Sequence, residues 1–92
     1  MLKVKFTLLA LKDLNDGYDY IYSNNPLAAR QVISRIENAI QKLREYPYIG
    51  HKGRVANTYE FVVQDTPYII VYAIDSEWLK VISILHSSRK FP

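Results

Sequence analysis

His51 and His86 are the side chains whose ordinary pKa lies nearest neutrality, and 35 positions separate them. Neither stands beside a cluster of Asp, Glu or Cys at metal-ligand spacing, so no metal site is expected. Cysteine is absent, which excludes a thiol nucleophile, a thiolate zinc site and a disulfide framework. No Gly-rich phosphate cradle occurs, and no cofactor is implied. What remains are the two histidines, nine carboxylates with Glu60 among them, and basic side chains, of which Lys52, Arg54, Arg89 and Lys90 suit a phosphate or a carboxylate. Each also has a plainer role open to it. His86 closes an apolar strand, where a lone histidine serves as a hydrogen-bonding group of the fold, and His51 reads as a solvated side chain in a basic loop. Arg54 can cap the next strand through its backbone, Glu60 can pair with Arg54 across the strand entry, and Arg89-Lys90 can be an ordinary basic tail.

Positioning those groups falls to a short chain. Ninety-two residues suffice for one core, so residues 1–92 are expected to form a single domain. Hydrophobic residues make up 49% and charged residues 23%, the balance of a folded domain and not of a disordered tail. The net charge of +3 is uneven: residues 1–54 carry nine Lys or Arg against five Asp or Glu, and residues 55–88 one against four. A basic surface of this kind fits an acidic partner, protein or nucleic acid. No run approaches the roughly 18 apolar residues of a membrane span. The opening Met-Leu-Lys-Val-Lys-Phe alternates in polarity, unlike a secretory signal. Together with the lack of cysteine, this sets the expectation of a cytoplasmic protein.

The elements follow from periodicity. Leu2, Val4 and Phe6 alternate with Lys3 and Lys5, a strand with one wet face. Thr7 then caps a helix running to about Tyr22, with Leu11, Leu14, Tyr18 and Ile21 as its apolar stripe and Lys12, Asp13, Asp16 and Asp19 off it. Gly17 is a weak point in its interior. Asn25 caps and Pro26 opens a second helix to about Arg44, whose buried face is Ala29, Val32, Ile33, Ile36, Ile40 and Leu43. So short a turn makes the two an antiparallel hairpin. Pro47 ends the second helix, and residues 46–57 read as the longest loop. Three strands complete the chain: Thr58–Val63, the apolar run Tyr68–Ile74 as central strand, and Trp78–His86. In the last, Leu79, Val81, Ser83 and Leu85 are expected to point one way, and Trp78, Lys80, Ile82, Ile84 and His86 the other. The architecture is α+β: an N-terminal strand, a helical hairpin, then a three-stranded antiparallel meander, with the helices packed on one face of a largely antiparallel sheet.

Eight tyrosines against three phenylalanines and one tryptophan are an excess. Tyr18 and Tyr22 fall on or near the core stripe, whereas Tyr20, Tyr46, Tyr48 and Tyr59 are hard to bury together in so small a domain. Tyrosine supplies contact area plus a polar handle, so a protein partner accounts for the surplus. No alternating basic and aromatic run on one strand points to base stacking.

The element order resembles the RelE/ParE superfamily of bacterial toxins from type II toxin–antitoxin pairs, also called plasmid stabilisation proteins. The likeness rests on Tyr46-Pro47 closing the second helix, Gly53-Arg54 in the loop, Tyr59-Glu60-Phe61-Val62-Val63, Pro67-Tyr68-Ile69-Ile70-Val71-Tyr72, and the ending Ile84-Leu85-His86-Ser87-Ser88-Arg89-Lys90-Phe91-Pro92. It spans essentially the whole chain, through the joint order of five individually weak motifs.

Two activities occur in that superfamily. Members similar to RelE and YoeB are ribosome-dependent mRNA endonucleases, whose chemistry needs a base for the 2′-hydroxyl, an acid for the leaving oxygen and cations for the phosphate. Such toxins commonly carry an Arg three residues before the Tyr of the central strand; here that Tyr is Tyr72 and the position is Ile69. They also tend to place a Tyr near the C-terminus, where this chain has Phe91-Pro92. As a nuclease the chain would rely on Glu60 as base, His86 as acid and Arg54 with Lys52 on the phosphate, an incomplete set. Members similar to ParE poison DNA gyrase by trapping its DNA cleavage complex, which requires binding and no covalent chemistry by the toxin. The resemblance at Gly53-Arg54, Thr66-Pro67-Tyr68 and the C-terminal ending favours this branch, with Arg54, His86, Arg89 and Lys90 as target contacts. An inactive relative that only binds its antitoxin is the third alternative. The superfamily also implies a hetero-oligomeric complex with an acidic cognate antitoxin that lays a helix or a strand on the toxin. The first helix, the 46–57 loop and the sheet edge are the expected surface, with Tyr20, Tyr48 and Trp78 as its aromatic contacts.

Overall fold

Alternation, capping and a proline stop lay down the elements in the order expected. The computed structural model describes residues 1–88 and contains β1 (Lys3–Phe6), α1 (Leu8–Tyr22), α2 (Pro26–Glu45), β2 (His51–Lys52), β3 (Tyr59–Val62), β4 (Tyr68–Ile74) and β5 (Trp78–His86). Thr7 Oγ1 accepts the Ala10 N–H at 3.0 Å and Asn25 Oδ1 accepts the Ala28 N–H at 3.1 Å, so both helices start at the residues that can satisfy their free N–H groups. Arg44 at the far end of α2 donates from Nε to the Leu2 carbonyl at 2.7 Å, tying the helix end to the entry of β1.

The strands form one sheet in the order β1-β5-β4-β3-β2, with β1 parallel to β5 and every other pairing antiparallel. The apolar run of β4 is the middle strand, as its composition requires. The 46–57 segment is not wholly a loop. His51 and Lys52 pair with Glu60 and Tyr59, adding a short edge strand whose two polar residues gave no periodic signal.

Both helices cover one face of the sheet. Ala10, Ile36, Ala39, Ile40 and Leu43 meet Tyr68, Ile70, Tyr72, Leu79, Val81 and Ile84 in a single core. That side-chain set reveals two departures from the expected faces. In α1 the buried face is Ala10, Asp13 and Gly17, while Leu11 stays 43% exposed. Asp13, placed by polarity on the wet side, is buried because β1 stops at Phe6 and leaves the flank of β5 without a partner strand. Thr7 continues the pairing by donating from its N–H to the Val81 carbonyl (3.0 Å) and from its hydroxyl to the Ile82 carbonyl (2.6 Å). Asp13 then accepts the Ile84 N–H at 3.0 Å and the Ser83 hydroxyl at 2.7 Å. Gly17 is small where α1 meets Tyr68: a Cβ there would lie 2.9 Å from the Tyr68 hydroxyl oxygen.

The second departure is in β5. Val71 pairs with Ser83 but Tyr72 pairs with Val81, so Ile82 is an extra residue and a β-bulge. Side chains alternate on either side of it, but the bulge shifts the phase by one. Ile84 and His86, expected opposite Leu79 and Val81, therefore share the helix-covered face with them. Among the described residues no helix is long and apolar enough to cross a membrane.

Removing the Asp13 carboxylate leaves a buried strand N–H and a buried hydroxyl unpaired. D13A is expected to lower the unfolding free energy by about 1–3 kcal/mol and D13N, which keeps an acceptor oxygen, by less. Urea denaturation of the two variants checks this; equal losses would show that packing, and not the carboxylate's hydrogen bonds, holds α1.

Candidate functional site

The proposed base does not stand free. Glu60 on β3 is buried, and its carboxylate accepts the Arg54 backbone N–H at 2.9 Å together with Arg54 Nε (3.2 Å to Oε2) and Nη2 (3.2 Å to Oε1). Gly53 and Thr58 close this turn, the Gly53 N–H donating to the Thr58 carbonyl at 2.8 Å, so the guanidinium is held at the strand entry by local backbone. Burial acts to raise the Glu60 pKa, but the side-chain and backbone hydrogen bonds from Arg54 and its charge together outweigh it and hold the carboxyl below its ordinary value. A carboxylate so stabilised is a poorer proton acceptor, which weakens it as a catalytic base. Both of the plainer readings of Arg54 and Glu60 are therefore realised in one ion pair. On β2 the exposed His51 pairs across from Glu60 and shares its face, whereas exposed Lys52 pairs across from Tyr59 and projects from the other, so the expected Lys52–Arg54 phosphate pair is not brought together.

His86 lies elsewhere. It pairs across from Tyr68, while Glu60 pairs across from Val71, three residues along the same strand. An odd separation on a strand reverses the side-chain direction, so imidazole and carboxylate project from opposite faces of the sheet. The His86 ring packs edge-on against Tyr68, with centroids 5.3 Å apart, and its Nδ1 accepts the Ser88 N–H at 3.2 Å with the Ser88 hydroxyl 2.7 Å away. An accepting Nδ1 assigns the neutral ring's proton to Nε2. Together with Asp16, Gly17, Tyr20, Tyr68 and Ser88, His86 lines an open groove of about 400 Å³ at the end of α1.

The groove thus joins His86 to Tyr20, which is 71% exposed, and separates both from the Arg54–Glu60 pair. Sequence reasoning missed Tyr68 and Asp16 as its walls, since their meeting depends on how α1 crosses the sheet. Tyr48, 69% exposed, stands at a second place in the 46–50 turn, edge-on to Tyr59 at 5.7 Å. Tyr59 in turn stacks on Tyr72 at 5.6 Å and is half-buried. Buried Tyr72 fixes that turn by donating to the Pro47 carbonyl (2.8 Å) and accepting the Gly50 N–H (3.2 Å). Trp78 is at a third place, on the face that the helices leave uncovered, with the ammonium groups of Lys5 and Lys3 lying 4.8 and 5.6 Å from its ring centroid. Arg89 and Lys90 lie outside the described residues. Among the described residues no three His, Asp or Glu side chains come together to hold a metal ion.

A helical hairpin on one face of a mixed five-stranded sheet, with Glu60 and His86 projecting from opposite faces, defines the class as a small α+β domain. The chain belongs to the ParE toxin family: residues 4–91 match the family model described as ParE toxin of type II toxin-antitoxin system, parDE. It is 37% identical over 90 residues, 98% of this chain and 93% of the relative, to a Sinorhizobium fredii (strain NBRC 101917 / NGR234) protein described as "Putative toxin Y4kP". Its fold is similar to a chain of the chromosomal ParDE TA system from P. aeruginosa, with TM-score 0.83 and 18% identity over 94% of this chain and 96% of that one. A YoeB/ParE toxin from Agrobacterium tumefaciens gives TM-score 0.65 and 18% identity over 92% and 98% of the two chains.

Because Glu60 has a lowered folded-state pKa, the stability from its ionisation is complete above its unfolded value of about 4.3 and is lost as pH falls through the folded one. Chemical denaturation across that acid range should show wild type losing stability more steeply than E60Q, the two curves converging as Glu60 protonates. Parallel curves would mean that the Arg54 pair adds nothing to acid resistance.

Proposed function

We propose that this toxin arrests growth by poisoning DNA gyrase through binding, and that an acidic cognate antitoxin neutralises it in the cytoplasm. The observation that carries the reading is the placement of Glu60 and His86 on opposite faces of the sheet. A nuclease that cuts at a phosphate must bring base and acid to the two sides of one scissile bond, within hydrogen-bond reach of it. The engagement of Glu60 by Arg54, and an apolar Ile69 where the nuclease branch has an arginine, support the same conclusion. Fold likeness to a YoeB/ParE toxin is a likeness of scaffold, and scaffold does not fix activity.

The antitoxin is expected to cover the exposed tyrosines. Tyr20 at the His86 groove and Tyr48 on the turn that Tyr72 fixes offer aromatic area with a polar tip, the composition of interface anchors. The basic net charge would speed capture of an acidic chain.

Purified toxin added to gyrase, supercoiled plasmid and ATP is expected to accumulate linear DNA and reduce supercoiling. No effect at micromolar excess, with mRNA cleavage on translating ribosomes, would replace this reading with the nuclease one; neither effect and no growth arrest would leave an inert antitoxin-binding relative. In titrations with the antitoxin, Y20D and Y48D should each weaken the complex by at least about tenfold, since losing an interface anchor costs about 1–2 kcal/mol or more. Unchanged affinity for both would move the interface elsewhere.

A further inference from the structure

The seam between β1 and β5 concentrates cations on the uncovered face of the sheet. Lys3 pairs across from Trp78 and Lys5 across from Lys80, so three ammonium-bearing side chains and the indole project from the same side. The ring orients the ammonium groups of Lys3 and Lys5 over its face without neutralising them, leaving their charge and N–H donors available. Lys5 and Lys80, directly opposite, are a like-charge pair that by itself costs stability. The neighbouring acidic residues, Asp75 and Glu77, stand in the turn that precedes β5. Asp75 accepts the Glu77 N–H at 3.0 Å and the Trp78 N–H at 2.8 Å, which with the charges of Lys5 and Lys80 hold its carboxyl below its ordinary value, so one carboxylate faces three ammonium groups and offsets part of their charge.

The kind of anion follows from what the seam lacks. A folded-on peptide draws its affinity from apolar burial, and most of the exposed large apolar and aromatic side chains, among them Leu8, Leu9, Tyr20, Tyr46 and Tyr48, lie on the helices and the 46–50 turn, while Val62, exposed on the uncovered face, is on β3 and away from the β1–β5 seam. A single-stranded nucleic acid stacks its bases on open aromatic faces, and two ammonium groups already lie against the half-buried Trp78 ring. A duplex keeps its bases inside and offers phosphates, which cations alone can hold.

We propose that Lys3, Lys5 and Lys80 bind the phosphate backbone of duplex DNA, giving the toxin a direct hold on DNA apart from its protein target. The choice of DNA rests on the gyrase reading; the duplex phosphate chemistry rests on the seam alone.

Fluorescence anisotropy of a labelled 20-bp duplex with purified toxin and no gyrase tests it. Three phosphate contacts predict a slope of log affinity against log salt of about −2.7, or about a 40-fold loss between 50 and 200 mM salt. The triple variant K3Q/K5Q/K80Q should lose at least about tenfold in affinity at the lower salt and flatten the slope, while K3R/K5R/K80R retains both; circular dichroism melting verifies that each is folded. Absence of duplex binding by wild type, unchanged binding by the folded glutamine variant, or tighter binding of single-stranded DNA or RNA would each overturn the proposal. Gyrase poisoning without duplex binding would remove this inference and keep that reading, and duplex binding without poisoning would do the reverse.

Discussion

The carboxylate of Asp13 decides where α1 sits. β1 covers β5 only as far as Phe6, and a strand flank left open toward a packed helix would carry buried, unpaired backbone groups. Thr7 and Asp13 take over where the strand ends, and Asp13 meets its partners, Ser83 and Ile84, across 70 and 71 residues of chain. Positions 13, 17 and 20 follow at helical spacing on neighbouring turns, so the register set by Asp13 also lays Gly17 against Tyr68 and brings Tyr20 beside His86. A stability feature of the sheet edge therefore shapes the groove on the helical side.

The bulge at Ile82 has an equally direct consequence for function. Uninterrupted alternation from Trp78 and Lys80 would carry Ile84 and His86 onto the uncovered face, the face from which Glu60 projects. One inserted residue sends the imidazole to the other side. The same shift brings Ile84 inward to complete the core, where it is 1% exposed. Packing thus enforces the separation of the two proton-carrying groups: restoring the strict alternation would turn Ile84 out into water.

Much of this was legible in the residues. Thr7, Asn25 and Pro26 announced their helix starts because capping is a local interaction, and the apolar run of β4 announced a middle strand because only burial on both faces tolerates it. Of Tyr20, Tyr46, Tyr48 and Tyr59, the surplus over what a small core can hold, the first three are exposed and Tyr59 is half-buried between Tyr48 and Tyr72, while Tyr22, read close to the core stripe, is exposed. What stayed hidden depends on neighbours distant in sequence. A hydropathy stripe ranks Leu11 above Asp13, yet Asp13 is buried by partners near the end of the chain. The bulge carries no Gly or other local marker, and β2 is two polar residues long. Lys3 and Lys5 registered only as the wet side of a strand, since nothing local places them over Trp78.

The uncovered face of the sheet carries positive groups at both ends, and the two ends are wired differently. At the β2–β3 end the guanidinium of Arg54 is spent on a buried carboxylate, an arrangement that lowers the proton affinity of Glu60 while leaving the Arg54 side chain half in water. At the β1–β5 end the ammonium groups of Lys3 and Lys5 meet an aromatic ring, which holds cations in place and leaves their charge intact. Opposing charges cancel a field; a ring quadrupole orients a cation without removing its charge. The face therefore carries a carboxylate and an imidazole, Glu60 and His51, at the β2–β3 end, and a cluster of ammonium groups at the β1–β5 end, where Lys5 and Lys80 stand side by side with Asp75 close enough to feel both charges. Such a cluster of ammonium groups offers charge and N–H donors to a polyanion, the chemistry on which the proposed duplex contact rests.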